Sequence, residues 1–210
     1  NAILKSPVDL LWFGGIGTYV KGSTQANADV GDPANDAIRA DAMELRVRAI
    51  GEGANLGVTQ AGRIEFSEKG GRINTDFIDN SAGVDCSDKE VNIKIPLNRE
   101  MREGRLTFEK RNALLAKMTD EGAALVLGGS HLQTLALSIA ESGGARALPE
   151  FVRTIELLEG SGRIDRKVEG LESSEELLRR ALEKKGLTRP ELAVVLSMSK
   201  LALQDAAEDL

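Results

Sequence analysis

Three short apolar runs, each closed by a loop of glycine, asparagine or aspartate, set the tightest limit on the fold. Val8 to Phe13 ends at Gly14-Gly15-Ile16-Gly17, Leu45 to Ile50 ends at Gly51-Glu52-Gly53-Ala54-Asn55, and Ile73 to Ile78 ends at Asp79-Asn80-Ser81-Ala82-Gly83. Runs of this length, punctuated this way, read as strands. Open α/β sheets bind ligands outside the carboxyl ends of parallel strands. Three strands with such loops therefore predict a parallel sheet that carries its site at that end.

The rest of the chain reads helical. Asp32-Pro33 opens a turn before a short helix from Asn35 to Met43. Ser87-Asp-Lys-Glu90 has capping-box spacing, and Val91, Ile93 and Ile95 after it predict a buried helix bent near Pro96. Further helices are expected over Thr107 to Lys117, Asp120 to Leu127, Leu132 to Glu141, Pro149 to Glu159 and Glu175 to Lys185. Gly128-Gly129-Ser130 and Ser142-Gly143-Gly144 would be joints between them. Thr188-Arg-Pro-Glu191 is a second capping box, opening a helix to about Ala207. The expected fold class is α/β, with a parallel sheet over 1–104 followed by an all-helical region over 105–210.

Composition narrows the partners. A net charge of -6 with no run of five like charges argues against nucleic acid. The longest apolar stretches, such as Ala123 to Leu127, fall short of the ~20 residues a membrane span needs, so no membrane partner is expected. Aromatics are 3% of the chain, so aliphatic side chains must fill the core. Cys86 stands alone, expected as inert core, and a lone cysteine suits a reducing cytoplasm. The opening Asn-Ala-Ile-Leu has neither an initiator Met nor a signal-type segment, and the chain is read as a fragment.

The loops carry the candidate chemistry. Gly15-Ile-Gly17 invites comparison with the dinucleotide fingerprint, but Val20 stands where the third glycine belongs, so a tight turn beside a ligand fits better than a phosphate cradle. In Gly51-Glu-Gly-Ala-Asn55, small residues allow close backbone approach, and Asn55 offers a donor and an acceptor that suit a ribose or an amide, or cap a turn. Ser87 at a helix start would favour a carboxylate, or serve only as the N-cap. Asp29, Asp32, Asn35 and Asp36 lack the spacing of a calcium loop, and no metal is expected. His131, the single histidine, is placed at a helix start in a structural role.

Asp9-Leu-Leu-Trp-Phe-Gly-Gly-Ile-Gly-Thr-Tyr19, Gly51-Glu-Gly-Ala-Asn-Leu-Gly-Val-Thr59 and Asn74-Thr-Asp-Phe-Ile-Asp-Asn-Ser-Ala-Gly-Val-Asp-Cys-Ser-Asp88 resemble segments of the large bacterial NAD-specific glutamate dehydrogenases. Thr134-Leu-Ala-Leu-Ser138 and Gly186-Leu-Thr-Arg-Pro-Glu-Leu-Ala193 are similar to that family's tail, so the resemblance covers nearly the whole chain. That family in turn resembles the smaller hexameric glutamate dehydrogenases, and the two likenesses together imply that residues 1–104 are a partial Rossmann-like parallel sheet, the C-terminal half of a dinucleotide-binding domain, with Gly14 and Gly15 where the cofactor passes a strand end. Asn55 would contact the nicotinamide ribose, Asn80 would sit beside the nicotinamide, and Ser87 would bind the substrate's side-chain carboxylate. The family's catalytic lysine and aspartate find no match here, so no catalytic residue is assigned.

The implied reaction converts L-glutamate, NAD and water to 2-oxoglutarate, ammonia and NADH, a step of amino-acid catabolism. The implied partners are these substrates and the remaining N-terminal part of a parent chain, which would form a homo-oligomer. The fragment alone is expected to be inactive. Two alternatives stand beside this reading: a helical assembly module of a larger enzyme, and another amino-acid dehydrogenase.

Overall fold

The computed structural model describes residues 2–210, which form two compact units: residues up to Asp79 with Leu135–Leu210, and Asn80–Thr134.

The first unit is built on a three-stranded parallel sheet of β1 (Leu10–Phe13), β4 (Ala49–Glu52) and β5 (Arg72–Ile73), in the order β1-β4-β5. β4 and β5 are joined by a crossover helix, α2 (Gln60–Glu68), as parallel neighbours require. Thr59 caps it by accepting from the Gly62 N–H at 3.1 Å. β5 ends sooner than the sequence predicts. Asp76–Asp79 forms a one-turn helix, α3, because the Asp79 carboxylate is taken up by the Glu52 N–H at the end of β4 and that of Asp76 by the Leu56 N–H in the loop after it.

A second pair of strands, β2 (Val20–Lys21) and β3 (Ala40–Asp41), is also parallel. Between them lie a one-turn helix α1 (Asn27–Val30) and a 3-10 turn at Pro33–Asn35. The helix expected over Asn35 to Met43 is absent. The buried Arg39 pulls that segment extended by donating to Thr18 O at 2.9 Å and to Asp32 O at 2.5 Å. The neighbouring acids are taken up locally: Asp32 accepts from Thr18 N–H at 2.8 Å, Asp29 accepts from Ala26 N–H at 2.7 Å, and Asp36 pairs with Arg39.

Two buried clusters hold this unit. One lies around the sheet and includes Phe13, Val20, Leu45, Ile50, Val58, Phe66 and Ile73. The other joins Ile78 to Leu137, Leu148, Ile155, Leu177, Leu192 and Val194 of the helices. Aliphatic residues dominate both, as the composition requires. The helices concerned are the C-terminal part of α5 (Phe108–Gly160), α7 (Ser174–Leu182) and α8 (Arg189–Glu208); the short α6 (Arg166–Glu169) buries none of its residues. The Thr188 box forms as predicted. Glu191 accepts from the Thr188 N–H and hydroxyl, each at 2.6 Å, and also from Arg180 of α7 at 2.7 Å.

The second unit consists of α4 (Ser81–Arg102) and residues 108–134 of α5. Between them Gly104 takes a left-handed φ of 73°, and Arg105 N–H donates to Glu100 O at 3.0 Å, a glycine-terminated helix end. α4 starts six residues before the predicted capping box and buries none of its residues. The box fails because the Glu90 carboxylate pairs with Lys94 one turn on rather than with the Ser87 backbone. Cys86, expected in the core, is exposed.

α5 merges four predicted helices. Gly128-Gly129-Ser130 and His131 lie inside it, and the one break is at Gly144, where φ 51° and ψ -143° leave the helical region. Among the described residues α5 alone is long and apolar enough, by length and composition, to cross a membrane. No single apolar run reveals this, because alanine and glycine spread the apolarity along the helix.

Candidate functional site at the carboxyl end of the sheet

The register places Phe13 of β1 opposite Glu52 of β4, so these two strands end level and their loops start side by side. Gly14, Gly15 and Asn55 thus come from adjacent strand ends of one compact unit. Gly14 and Gly15 are exposed, and a Cβ on Gly15 would meet nothing within 4 Å. Gly17 is needed for the turn itself. Its φ is 136°, and a Cβ there would come within 2.7 Å of Asn35.

Gly51 and Gly53 have a different purpose from the one their spacing suggests. A Cβ on either would lie 2.5 Å from the Trp12 ring, so these glycines make room for an indole of the protein. Trp12 remains 58% exposed on top of them. Gly57 likewise accommodates Phe13, whose ring stacks on Tyr19 at a centroid distance of 5.8 Å.

Asn55 sits exposed near the crest of the loop and lines a cleft of about 700 Å³ with Thr18, Thr59, Arg63, Phe77 and Lys167. The cleft therefore takes a wall from α6 of the helical region as well as from the strand ends. Beneath the crest lies a buried charge network. Glu52, Arg63 and Asp76 are 0%, 4% and 8% exposed. Arg63 donates through Nε to Glu52 at 2.7 Å and through Nη2 at 2.9 Å, and its Nη2 lies 3.0 Å from Asp76. Burial pushes the Glu52 carboxyl up, opposed by the hydrogen bonds and charge of Arg63 and by the Val58 N–H.

These side chains did not stand out in the sequence. The available signal was a set of charged residues among glycines and apolar positions: Glu52 between two glycines, and Asp76 three residues before Asp79, directly after a strand.

Asn80 and Ser87 belong to the second unit. Asn80 occupies the N-cap position of α4, with φ -96° and ψ 4°. Ser87 is exposed on the second turn of α4, not at its start, so the anion-favouring helix end assumed for it lies at Ser81 instead.

This is a parallel α/β unit with small and amide-bearing residues gathered in the loops at the strand ends, the edge where open α/β sheets in general bind ligands. Residues 1–140 match the family described as bacterial NAD-glutamate dehydrogenase, catalytic domain. The chain belongs to that family. It is 54% identical over 206 residues to the NAD-specific glutamate dehydrogenase of Pseudomonas aeruginosa, 53% over 204 to that of Halomonas elongata, and 48% over 205 to that of Mycobacterium tuberculosis. These matches cover 98%, 97% and 98% of this chain but 13% of each relative, so the chain spans about an eighth of their length.

Proposed function

We propose that this chain supplies part of the cofactor and substrate site of an NAD-dependent glutamate dehydrogenase that turns L-glutamate, NAD and water into 2-oxoglutarate, ammonia and NADH. The observation that carries this reading is the 48–54% identity to relatives of that name, joined to a sheet with ligand-type loops at its carboxyl edge.

The strand order supports a Rossmann-like half-sheet. In a doubly wound sheet of order 3-2-1-4-5-6, the last three strands are consecutive, parallel neighbours. β1, β4 and β5 have that relation, with α2 as a crossover, and the outer edge of β1 would receive the missing half. Residues 1–104 would then serve the cofactor and 105–210 would form the helical region.

The residues present suit NAD. Gly14 and Gly15 offer exposed backbone with open space at Gly15, and Asn55 brings an amide donor and acceptor to the cleft. NAD, when bound, supplies the hydride acceptor. Gly14, Gly15, Asn55 and Asn80 would hold and orient the cofactor, and the Ser87 hydroxyl would donate to the glutamate side-chain carboxylate. Proton transfer falls to groups elsewhere in the parent chain, so the 210-residue chain alone would form no NADH.

Steady-state NADH formation from glutamate by the parent enzyme, wild type against Ser87→Ala, tests this. Loss of a hydrogen bond to a carboxylate costs ~1.5–3 kcal/mol, so KM for glutamate should rise roughly ten- to a hundredfold. An unchanged KM would return Ser87 to the helix surface. An inactive wild type, or NADH formed by the isolated chain, would sink the reading itself.

A further inference from the structure

The loop that carries Asn55 is tied down at three backbone N–H groups, each by a different carboxylate. Asp79 accepts from Glu52 N–H at 3.0 Å, Glu52 accepts from Val58 N–H at 3.0 Å, and Asp76 accepts from Leu56 N–H at 2.8 Å. Leu56 needs such a hold, since its φ of 59° is left-handed and unfavourable for a leucine. The guanidinium of Arg63, projecting from α2, bonds to two of these carboxylates at once. Only a planar fork spans both, because its donors are fixed in direction.

We infer that Arg63 is a positioning residue for cofactor binding: with Glu52 and Asp76 it clamps residues 53–57 so that the Asn55 amide stands ready at the cleft. This rests on reading Asn55 as a cofactor contact. The crest residues Gly53, Asn55 and Leu56 are exposed, whereas the anchors below them are buried, so the geometry of the crest is set from beneath. Arg63 also reaches Gln60 at 3.4 Å, and Gln60 donates to Pro190 O of α8 at 3.3 Å, which braces the clamp against the helical region. The role differs from general stability because the loop it holds adds no residue to the core beyond Val58.

The test uses the parent enzyme with Arg63→Met, which keeps bulk and loses every donor, and Arg63→Lys, which keeps the charge and loses the fork. Misplacing a binding group by about 1 Å costs up to a hundredfold, so KM for NAD should rise roughly tenfold or more in Arg63→Met and less in Arg63→Lys. KM for glutamate should stay within about twofold, since that binding is untouched. An unchanged KM for NAD, or a rise of both constants in step with a loss of kcat, overturns the inference. If Arg63→Met does not fold, the same split in Arg63→Lys decides. Amide exchange separates this from the functional reading: Leu56 and Val58 should exchange faster in Arg63→Lys while Ile50 stays protected. Unchanged exchange refutes the clamp even if the parent proves not to be a dehydrogenase.

Discussion

Asp79 keeps a partly buried carboxylate whose two hydrogen-bond donors are both neutral, the Glu52 N–H and the Asn74 amide. Burial pushes its carboxyl above the ordinary 3.8, opposed by those hydrogen bonds and by the more distant charges of Arg63 and Arg189. The raised value means that the folded state disfavours the ionised form. Stability from this group is therefore greatest below the unfolded value and falls as pH rises from there through the folded one. Asp79→Asn does not titrate, so the urea midpoint of wild type minus that of the variant should decline as pH rises above about 4. A flat difference would mean that the hydrogen bonds to Asp79 offset the cost of burying it, and a rising one that they exceed that cost. At this scale the sequence was readable where a residue's neighbours are local, as for the loop that Gly14 and Gly15 open at the end of β1. It was unreadable where a partner arrives from another element: nothing near Glu52 in sequence announces Arg63, and Trp12 explains Gly51 and Gly53 only once β1 and β4 are paired.

Two sequences of similar spacing, Thr188 to Glu191 and Ser87 to Glu90, give one helix start and one helix interior. The difference lies in what competes for the glutamate. Glu191 is held to Thr188 by a buried Arg180, which favours the box, whereas Glu90 is exposed and has Lys94 a turn away. The helical character of residues 108–143 was legible, but the joints assigned to Gly128-Gly129-Ser130 were not joints. Glycine lowers helix stability without ending a helix unless the backbone must turn left-handed, as Gly144 shows with its φ of 51°. Gly128 has an exposed position inside α5, and a Cβ on it would touch nothing within 4 Å. Gly128→Ala should then stabilise that helix by ~0.5–1 kcal/mol, read as a higher thermal midpoint by far-ultraviolet circular dichroism. A lowered midpoint would mean that the helix needs a glycine there for a reason other than conformation.

In chain order the last strand ends at Ile73 and only helices follow from Asp76, but compactness follows another line. The strand-bearing residues up to Asp79 and the last helices from Leu135 form one unit, and their dependence is visible in particular contacts. α2 packs on α8, Gln60 donates to Pro190 O, and Arg189 reaches back to Asn74 at the end of β5. Ile78 has its buried neighbours among helical residues such as Leu137, Leu192 and Val194. Sequence periodicity could not reveal this, because it reports which face of a helix is apolar and not which distant segment covers it. A chain ending at Ser142 would keep all five strands yet lose α8, most of the second cluster and the brace on α2. Removing several buried aliphatic partners at ~2–5 kcal/mol each exceeds the ~5–15 kcal/mol by which a domain is stable. The shortened chain should therefore show no cooperative urea transition, although its strand sequence is intact. A sharp transition at the full-length midpoint would instead mean that the sheet cluster around Phe13, Val20 and Phe66 suffices for folding, and that the helices add only walls to the cleft.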